Sequence, residues 1–260
     1  MDGAQVLRTC TKLQELALRN MRLADDTIDT IAQHQRHLTW LELSSAGSAI
    51  TDRALAGMIE QCGGTQLRYL SLARTAAGSE CVRAIGAAPL VALETLDLTY
   101  CKAMVDSSDI REYLCASARR HSLRRLNLFG ARLSCEALAA LLCDLGQLLK
   151  LEVSLHEREQ LAVVRSALLS DDDASSCTST STSSNRSRES TSLRVLSLER
   201  CYPQVDGSVL EAEEAMRLQQ ELEERRGIRC WIADKRRDND DNGNPASSSC
   251  NMTRAISTIE

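Results

Sequence analysis

The chain has 260 residues, 43% of them hydrophobic, and a formal net charge of -5. This acidic balance excludes a general nucleic-acid binder, which needs a basic patch to neutralise phosphates and release counterions. No run approaches the ~18 apolar residues of a membrane helix, and the opening MDGAQVLRTC has an early acid and no unbroken apolar core, so neither membrane insertion nor a secretory leader is expected.

Eleven cysteines are scattered along the chain without a disulfide-framework spacing, and they read as reduced thiols. The expectation is an intracellular protein, cytoplasmic by default or part of an organellar or cytoskeletal assembly.

Seven copies of one pattern, LxxLxL, organise the chain, the sixth ending in valine. They are Leu13/Leu16/Leu18, Leu38/Leu41/Leu43, Leu67/Leu70/Leu72, Leu93/Leu96/Leu98, Leu123/Leu126/Leu128, Leu148/Leu151/Val153 and Leu193/Leu196/Leu198. Their first leucines lie 25, 29, 26, 30, 25 and 45 residues apart. Such a period marks a stack of similar units, each touching mainly its neighbours.

In chain order, VLRTC ahead of Leu13 reads as the end of a helix, and no polar capping unit stands before it. Stacks of this kind normally need a cap, so a preceding segment or another protein is expected to cover the first strand. Each LxxLxL alternates apolar and polar residues with period two, which predicts a short strand with one buried face. Apolar residues at helical spacing follow the strands: Ile28/Ile31, Leu55/Met58/Ile59, Val82/Ile85, Leu138/Leu141/Leu142 and Leu161/Val164/Leu168. Gly63-Gly64 reads as a helix stop. A strand followed by a covering helix, repeated, predicts an α/β stack of parallel strands about 4.8 Å apart with helices on the other side. The helical side is the wider one, so the stack is expected to curve, strands on the concave face and helices on the convex face.

Between Ser170 and Ser192, 14 of 23 residues are Ser or Thr and none is large and apolar. That segment cannot bury enough surface to offset its ordering entropy, so 170-192 is predicted to be a disordered insertion. It accounts for the single step of 45, and loop closure makes such an insertion thermodynamically mild. Glu211 to Arg226, EAEEAMRLQQELEERR, has strong helix formers with acids early and arginines late. GIRCWIAD, from Gly227 to Asp234, then reads as a terminal strand beside Leu193 to Leu198. The predicted organisation is a stack over 1-234, interrupted at 170-192, with a disordered polar tail over 235-260.

Sites for chemistry are scarce. His34 and His37 form HxxH without a cysteine or carboxylate pair at ligand spacing nearby, and no CxxC is present. There is no GxSxG, GxxxxGK or GxGxxG. No cofactor, metal or small-molecule substrate is expected, and the chain is not expected to be an enzyme.

The strand period identifies a different kind of site. If the leucines point inward, the residues two, four and six places after each first leucine stand on the opposite face of the sheet. The first column is then Glu15, Trp40, Tyr69, Thr95, Arg125, Lys150 and Val195. The middle column is Ala17, Glu42, Ser71, Asp97, Asn127, Glu152 and Ser197; the last is Arg19, Ser44, Ala73, Thr99, Phe129, Ser154 and Glu199. Trp40 and Tyr69 are neighbours there, with Phe129 further along, although aromatic residues make up only 3% of the chain. They either pack on each other across the strands, or serve as binding anchors of the sort enriched at interface hot spots; a column without a core to fill favours anchors. The candidate partner-binding residues are Trp40, Glu42, Tyr69, Asp97, Arg125, Asn127, Phe129 and Lys150. Glu42, Asp97 and Glu152 give the middle column an acidic character that a basic stretch of a partner would complement, and Arg125 and Lys150 form a basic corner beside Phe129.

The segments LETLDLTYCKAMVD, from Leu93 to Asp106, and LRVLSLERCYPQVD, from Leu193 to Asp206, resemble the LxxLxLxxCxxITD pattern of cysteine-containing leucine-rich repeats, with Cys101 and Cys201 at its cysteine. Ile50-Thr51-Asp52 reproduces ITD one residue late, and the segments after Leu18 and Phe129 are closer to the ribonuclease-inhibitor-like subtype. The resemblance covers about Val6 to Asp234. It implies a non-enzymatic protein-protein interaction scaffold that binds a protein partner on its concave face, as a complex subunit or an adaptor. Two alternatives are implied as well: the substrate-recognition module of an F-box-type ubiquitin-ligase adaptor, and an enzyme inhibitor of the ribonuclease-inhibitor type. In this class the cysteine packs inward as a small thiol that weakly hydrogen-bonds backbone.

Overall fold

A computed structural model describes residues 3-45, 49-62, 66-88, 90-101, 110, 112, 122-144, 147-169, 192-201 and 209-234. Gly63 and Gly64, the insertion up to residue 191, and the tail 235-260 lie outside them. The strands are β1 (Glu15–Ala17), β2 (Trp40–Glu42), β3 (Tyr69–Ser71), β4 (Thr95–Asp97), β5 (Arg125–Leu128), β6 (Lys150–Leu155), β7 (Val195–Arg200) and β8 (Arg229–Asp234). The described helices are α1 (Gly3–Thr9), α2 (Asp25–His34), α3 (Asp52–Cys62), α4 (Ser79–Ala87), α5 (Cys135–Asp144), α6 (Glu159–Leu169) and α7 (Val209–Arg226). The expected helix end before Leu13 is α1, and the terminal strand is β8.

All eight strands form one open parallel sheet in sequential order, β1 to β8. Parallel neighbours need a crossover, and crossovers are right-handed, so a sheet that always advances in one direction carries its helices on one side. The register follows the sequence pattern. Leu16, Leu41, Leu70, Leu96, Leu126, Leu151, Leu196 and Cys230 stand opposite one another in one row across the sheet. From Leu41 to Leu196 this row is sealed from solvent and joins one core with Ile28, Ile31, Leu55, Met58, Val82, Ile85, Leu138, Leu141, Leu161, Val164 and Leu168 from the helices. Each such side chain contributes roughly 1.5 to 3 kcal/mol by leaving water. Leu13, Leu16 and Leu18 are only partly buried, because β1 is an edge strand in the described structure.

Register continues unbroken from β6 to β7, Lys150 opposite Val195 through Leu155 opposite Arg200. The pairing of β6 with β7 is therefore continuous although 39 residues separate Leu155 from Val195. These two strands are six residues long where β1 to β4 have three. The reason is in the pattern: Leu151, Val153 and Leu155 prolong the alternation by one inward residue, and all three are buried.

Strand exits repeat too. Asn20, Ser45, Arg74, Tyr100 and Gly130, each two residues past the third leucine of its copy, all have positive φ. The left-handed residue turns the chain off the sheet, and the first four donate their N–H to the next copy: Asn20 to Ser44 O, Ser45 to Ala73 O, Arg74 to Thr99 O, Tyr100 to Phe129 O.

Neighbouring helices are joined by side chains that cap across the copy boundary. Asp25 accepts from the backbone N–H and the hydroxyl of Thr51 at the start of α3 (2.8 and 2.9 Å). Asp52 accepts from Gly78 N (2.7 Å), Glu80 N (3.0 Å) and Cys81 N (3.1 Å), and so caps α4 from the preceding helix. Gly78 itself offers no side chain to do this, and the first N–H groups of a helix need an acceptor. Cys101 is buried and donates its thiol to Leu72 O of the preceding copy at 3.1 Å, in the inward role expected of it. Cys201 is instead half-buried, near the Glu199 carboxylate at 3.7 Å.

Candidate open-face site

The face opposite the helices carries the three columns derived from the strand period. Glu15, Trp40, Tyr69, Thr95, Arg125, Lys150, Val195 and Arg229 stand opposite one another in turn, as do Ala17, Glu42, Ser71, Asp97, Asn127, Glu152, Ser197 and Trp231. Trp40, Glu42, Tyr69, Asp97, Arg125, Asn127 and Lys150 therefore share this face, and Phe129 follows directly at the end of β5.

Trp40 and Tyr69 are brought together most closely. Their rings stack with centroids 3.5 Å apart and planes 4° from parallel. Adjacent strands lie about 4.8 Å apart, so the rings stand up from the sheet and lean together. They do pack on each other, and Trp40 nevertheless keeps 37% of its surface exposed. Tyr69 is half-buried. Burial, followed by the negative charges of Glu42 and Asp97, pushes its hydroxyl pKa up.

The carboxylates of the acidic middle column are hydrogen-bonded within the molecule. Glu42 is buried, receives both Nε and Nη2 of Arg19 at 2.6 Å, and accepts from the Ser44 hydroxyl at 2.9 Å. Burial pushes its carboxyl pKa up, but the hydrogen bonds from Arg19 and Ser44 and the charge of Arg19 outweigh it and hold the carboxyl below its ordinary value. Asp97 accepts from Ser71 Oγ (3.1 Å) and Thr99 N (3.0 Å). Glu152 accepts from Asn127 Nδ2 (3.1 Å) and pairs with Lys150 Nζ (3.0 Å). Lys150 thus answers a carboxylate on its own strand, and the basic corner reduces to Arg125, which is exposed with no ion pair among the described residues. Asn127 Oδ1 accepts from Phe129 N at 3.1 Å, so its amide shapes the strand end as well as the column.

A second cluster was not anticipated as a site. The Tyr100 hydroxyl donates to Glu199 Oε1 (2.6 Å), and the other oxygen of Glu199 accepts from Ser154 Oγ (2.8 Å), which accepts from Gly130 N (2.8 Å). Arg74 lies over the Tyr100 ring, 5.7 Å from its centroid. Tyr100 is outside the three columns, and only the left-handed turn after β4 lays its ring over the next copies. Trp231, 45% exposed, is the other omission. Its signal was present: Cys230 and Ile232 as inward neighbours in GIRCWIAD place the indole on the open face.

The buried thiols Cys81, Cys101 and Cys230 are held in the protonated form by their surroundings. Burial pushes Cys101 up to about 11 and Cys230 up to about 12. Cys81 is raised well above the ordinary range, by burial first and then by the charge of Asp52. Among the described residues no group of three His, Cys, Asp or Glu is arranged to hold a metal ion, and no helix is long and apolar enough to cross a membrane. What the open face offers is preordered contact area: a stacked aromatic pair, hydrogen-bonded carboxylates and a few free polar groups. Compared with known proteins, the chain matches no family model and no curated protein.

Proposed function

We propose that this chain is a curved leucine-rich-repeat solenoid, of the ribonuclease-inhibitor-like or cysteine-containing kind, whose concave sheet binds a protein partner without catalysis. Bending is the expected result of the two spacings: packed helices lie 8 to 10 Å apart and paired strands about 4.8 Å apart. The sheet side therefore becomes the inside of the bend. The observation that carries the binding role is the exposed Trp40–Tyr69 stack on a face that no described element covers. Rigid aromatics of this type need little further ordering on binding and are enriched among residues whose loss weakens an interface by ~2 kcal/mol or more. The internal pairing of Glu42, Asp97 and Glu152 supports the same role, since these groups hold the surface in one shape before a partner arrives.

The partner is a protein, and the chain serves as a scaffold, either a permanent complex subunit or an exchangeable adaptor. The test is proximity labelling and co-purification of the full chain against Trp40→Ala/Tyr69→Ala. Recovery of the partners found with the unaltered protein should fall sharply in the double variant. Undiminished recovery with intact folding removes this reading. The thiol of Cys101, seated on Leu72 O, favours the cysteine-containing subtype and with it the substrate-recognition module of a ubiquitin-ligase adaptor as a second reading. Recovery of ligase scaffold components in the same experiment supports that version, and a stable organellar or cytoskeletal complex supports the first.

A further inference from the structure

Tyr69 covers one face of the Trp40 indole from the β3 side. Because the rings are parallel, the second face of Trp40 is turned toward β1, where Glu15 stands directly opposite it in the register. The Glu15 side chain is exposed and has neither a hydrogen bond nor an ion pair among the described residues, unlike those of Glu42, Asp97 and Glu152. Beyond β1 no strand is paired to the sheet among the described residues.

The charge around the stack is unbalanced. Arg19 is already spent on Glu42, and Asp97 is held by Ser71 and Thr99, which leaves Glu15 as the carboxylate beside the stack with no internal partner among the described residues. An indole face is itself the negative end of a quadrupole and attracts cations within about 6 Å.

We propose that the cleft between the free face of Trp40 and the carboxylate of Glu15 receives an arginine side chain of the partner protein. A planar guanidinium can lie flat on the indole at van der Waals distance, which takes up about one strand spacing. In that position its N–H fork is directed at the Glu15 carboxylate, and the geometry is bidentate. A lysine ammonium lacks the flat fork and satisfies only one of the two contacts well. This inference rests on the proposed docking face and narrows it to one chemical group at one place.

The test follows the Trp40 indole N–H resonance of the full-length protein, assigned with Trp40→Phe, during titration with three short capped peptides, Gly-Arg-Gly, Gly-Lys-Gly and Gly-citrulline-Gly. The arginine peptide should move the resonance. Citrulline, planar but neutral, should bind ~10-fold more weakly, lysine should fall between them, and Glu15→Gln should weaken arginine binding ~3-fold. Equal binding of arginine and citrulline, equal binding of arginine and lysine, an unchanged affinity in Glu15→Gln, or no response up to ~100 mM peptide each overturns the proposal. Failure here is separable from failure of the docking face. Partner recovery that is lost in Trp40→Ala/Tyr69→Ala and retained in Glu15→Gln removes the guanidinium contact alone, whereas recovery retained in both removes the face.

Discussion

Gly130→Ala separates two reasons why a glycine occupies a strand exit. Its φ of +86° lies in the region that disfavours side chains, yet Asn20, Ser45, Arg74 and Tyr100 occupy equivalent turns with φ between 51° and 59°. Backbone conformation alone therefore does not require glycine. The tighter constraint is Tyr100: a Cβ at position 130 would fall 2.5 Å from Tyr100 Cδ1 and 3.1 Å from its Cα. The ring could swing aside only by giving up its 2.6 Å hydrogen bond to Glu199, and the Cα cannot move without moving the turn. Gly227 provides the control, with φ +63° and nothing within 4 Å of a built Cβ. Gly227→Ala should cost about 1 kcal/mol, the left-handed backbone penalty. Gly130→Ala should cost about 2 to 4 kcal/mol, since overpacking adds ~1 to 3 kcal/mol. Urea unfolding followed by circular dichroism measures both, and an unchanged m-value shows that the two states are comparable. In a Tyr100→Ala background the extra penalty at position 130 should shrink to that of Gly227. Equal losses for the two glycine variants to within ~0.5 kcal/mol, or an extra penalty that persists without Tyr100, would refute the reasoning.

Removing the cap that joins two copies should be felt at α4. Asp52→Ala strands three backbone N–H groups and should destabilise by ~2 kcal/mol, with Asp52→Asn losing less because one acceptor oxygen remains. Hydrogen exchange of the Gly78, Glu80 and Cys81 amides should quicken in Asp52→Ala, and unchanged exchange there would contradict the assignment. The buried thiols predict an alkaline limb. Cys101 is raised in the folded state, so its contribution is complete below the ordinary thiol pKa and declines as pH climbs toward about 11. Over that window the loss reaches an upper bound of about 2.7 kcal/mol. Cys101→Ala should flatten this part of the stability profile measured by urea midpoints, and parallel decline in both proteins would exclude it. At about pH 8 a thiol reagent should label exposed Cys10 and Cys143 well before Cys81, Cys101 and Cys230.

Most of the strand and helix order was legible because a repeated chain states its register many times over. The spacing of Leu38, Leu41 and Leu43 and its counterparts located the strands, named the inward row and placed Trp40 beside Tyr69. The alternation of GIRCWIAD was enough to place the last strand. Period two is a local property of extended backbone, and side-chain direction follows from it without knowledge of the neighbours.

What a residue does on the open face depended on reach across strands, and no local period encodes that. Glu42, read as one of the acids that a partner would complement, is closed by an arginine 23 residues earlier in the chain. Tyr100, outside every column, spans to Glu199, 99 residues later, because a left-handed turn and a missing Cβ at Gly130 let its ring lie flat. One-dimensional pattern determines which side of the sheet a side chain takes, because that is set by its own φ and ψ. Which charges remain for a partner is decided by distances between strands, and those exist only once the copies have stacked.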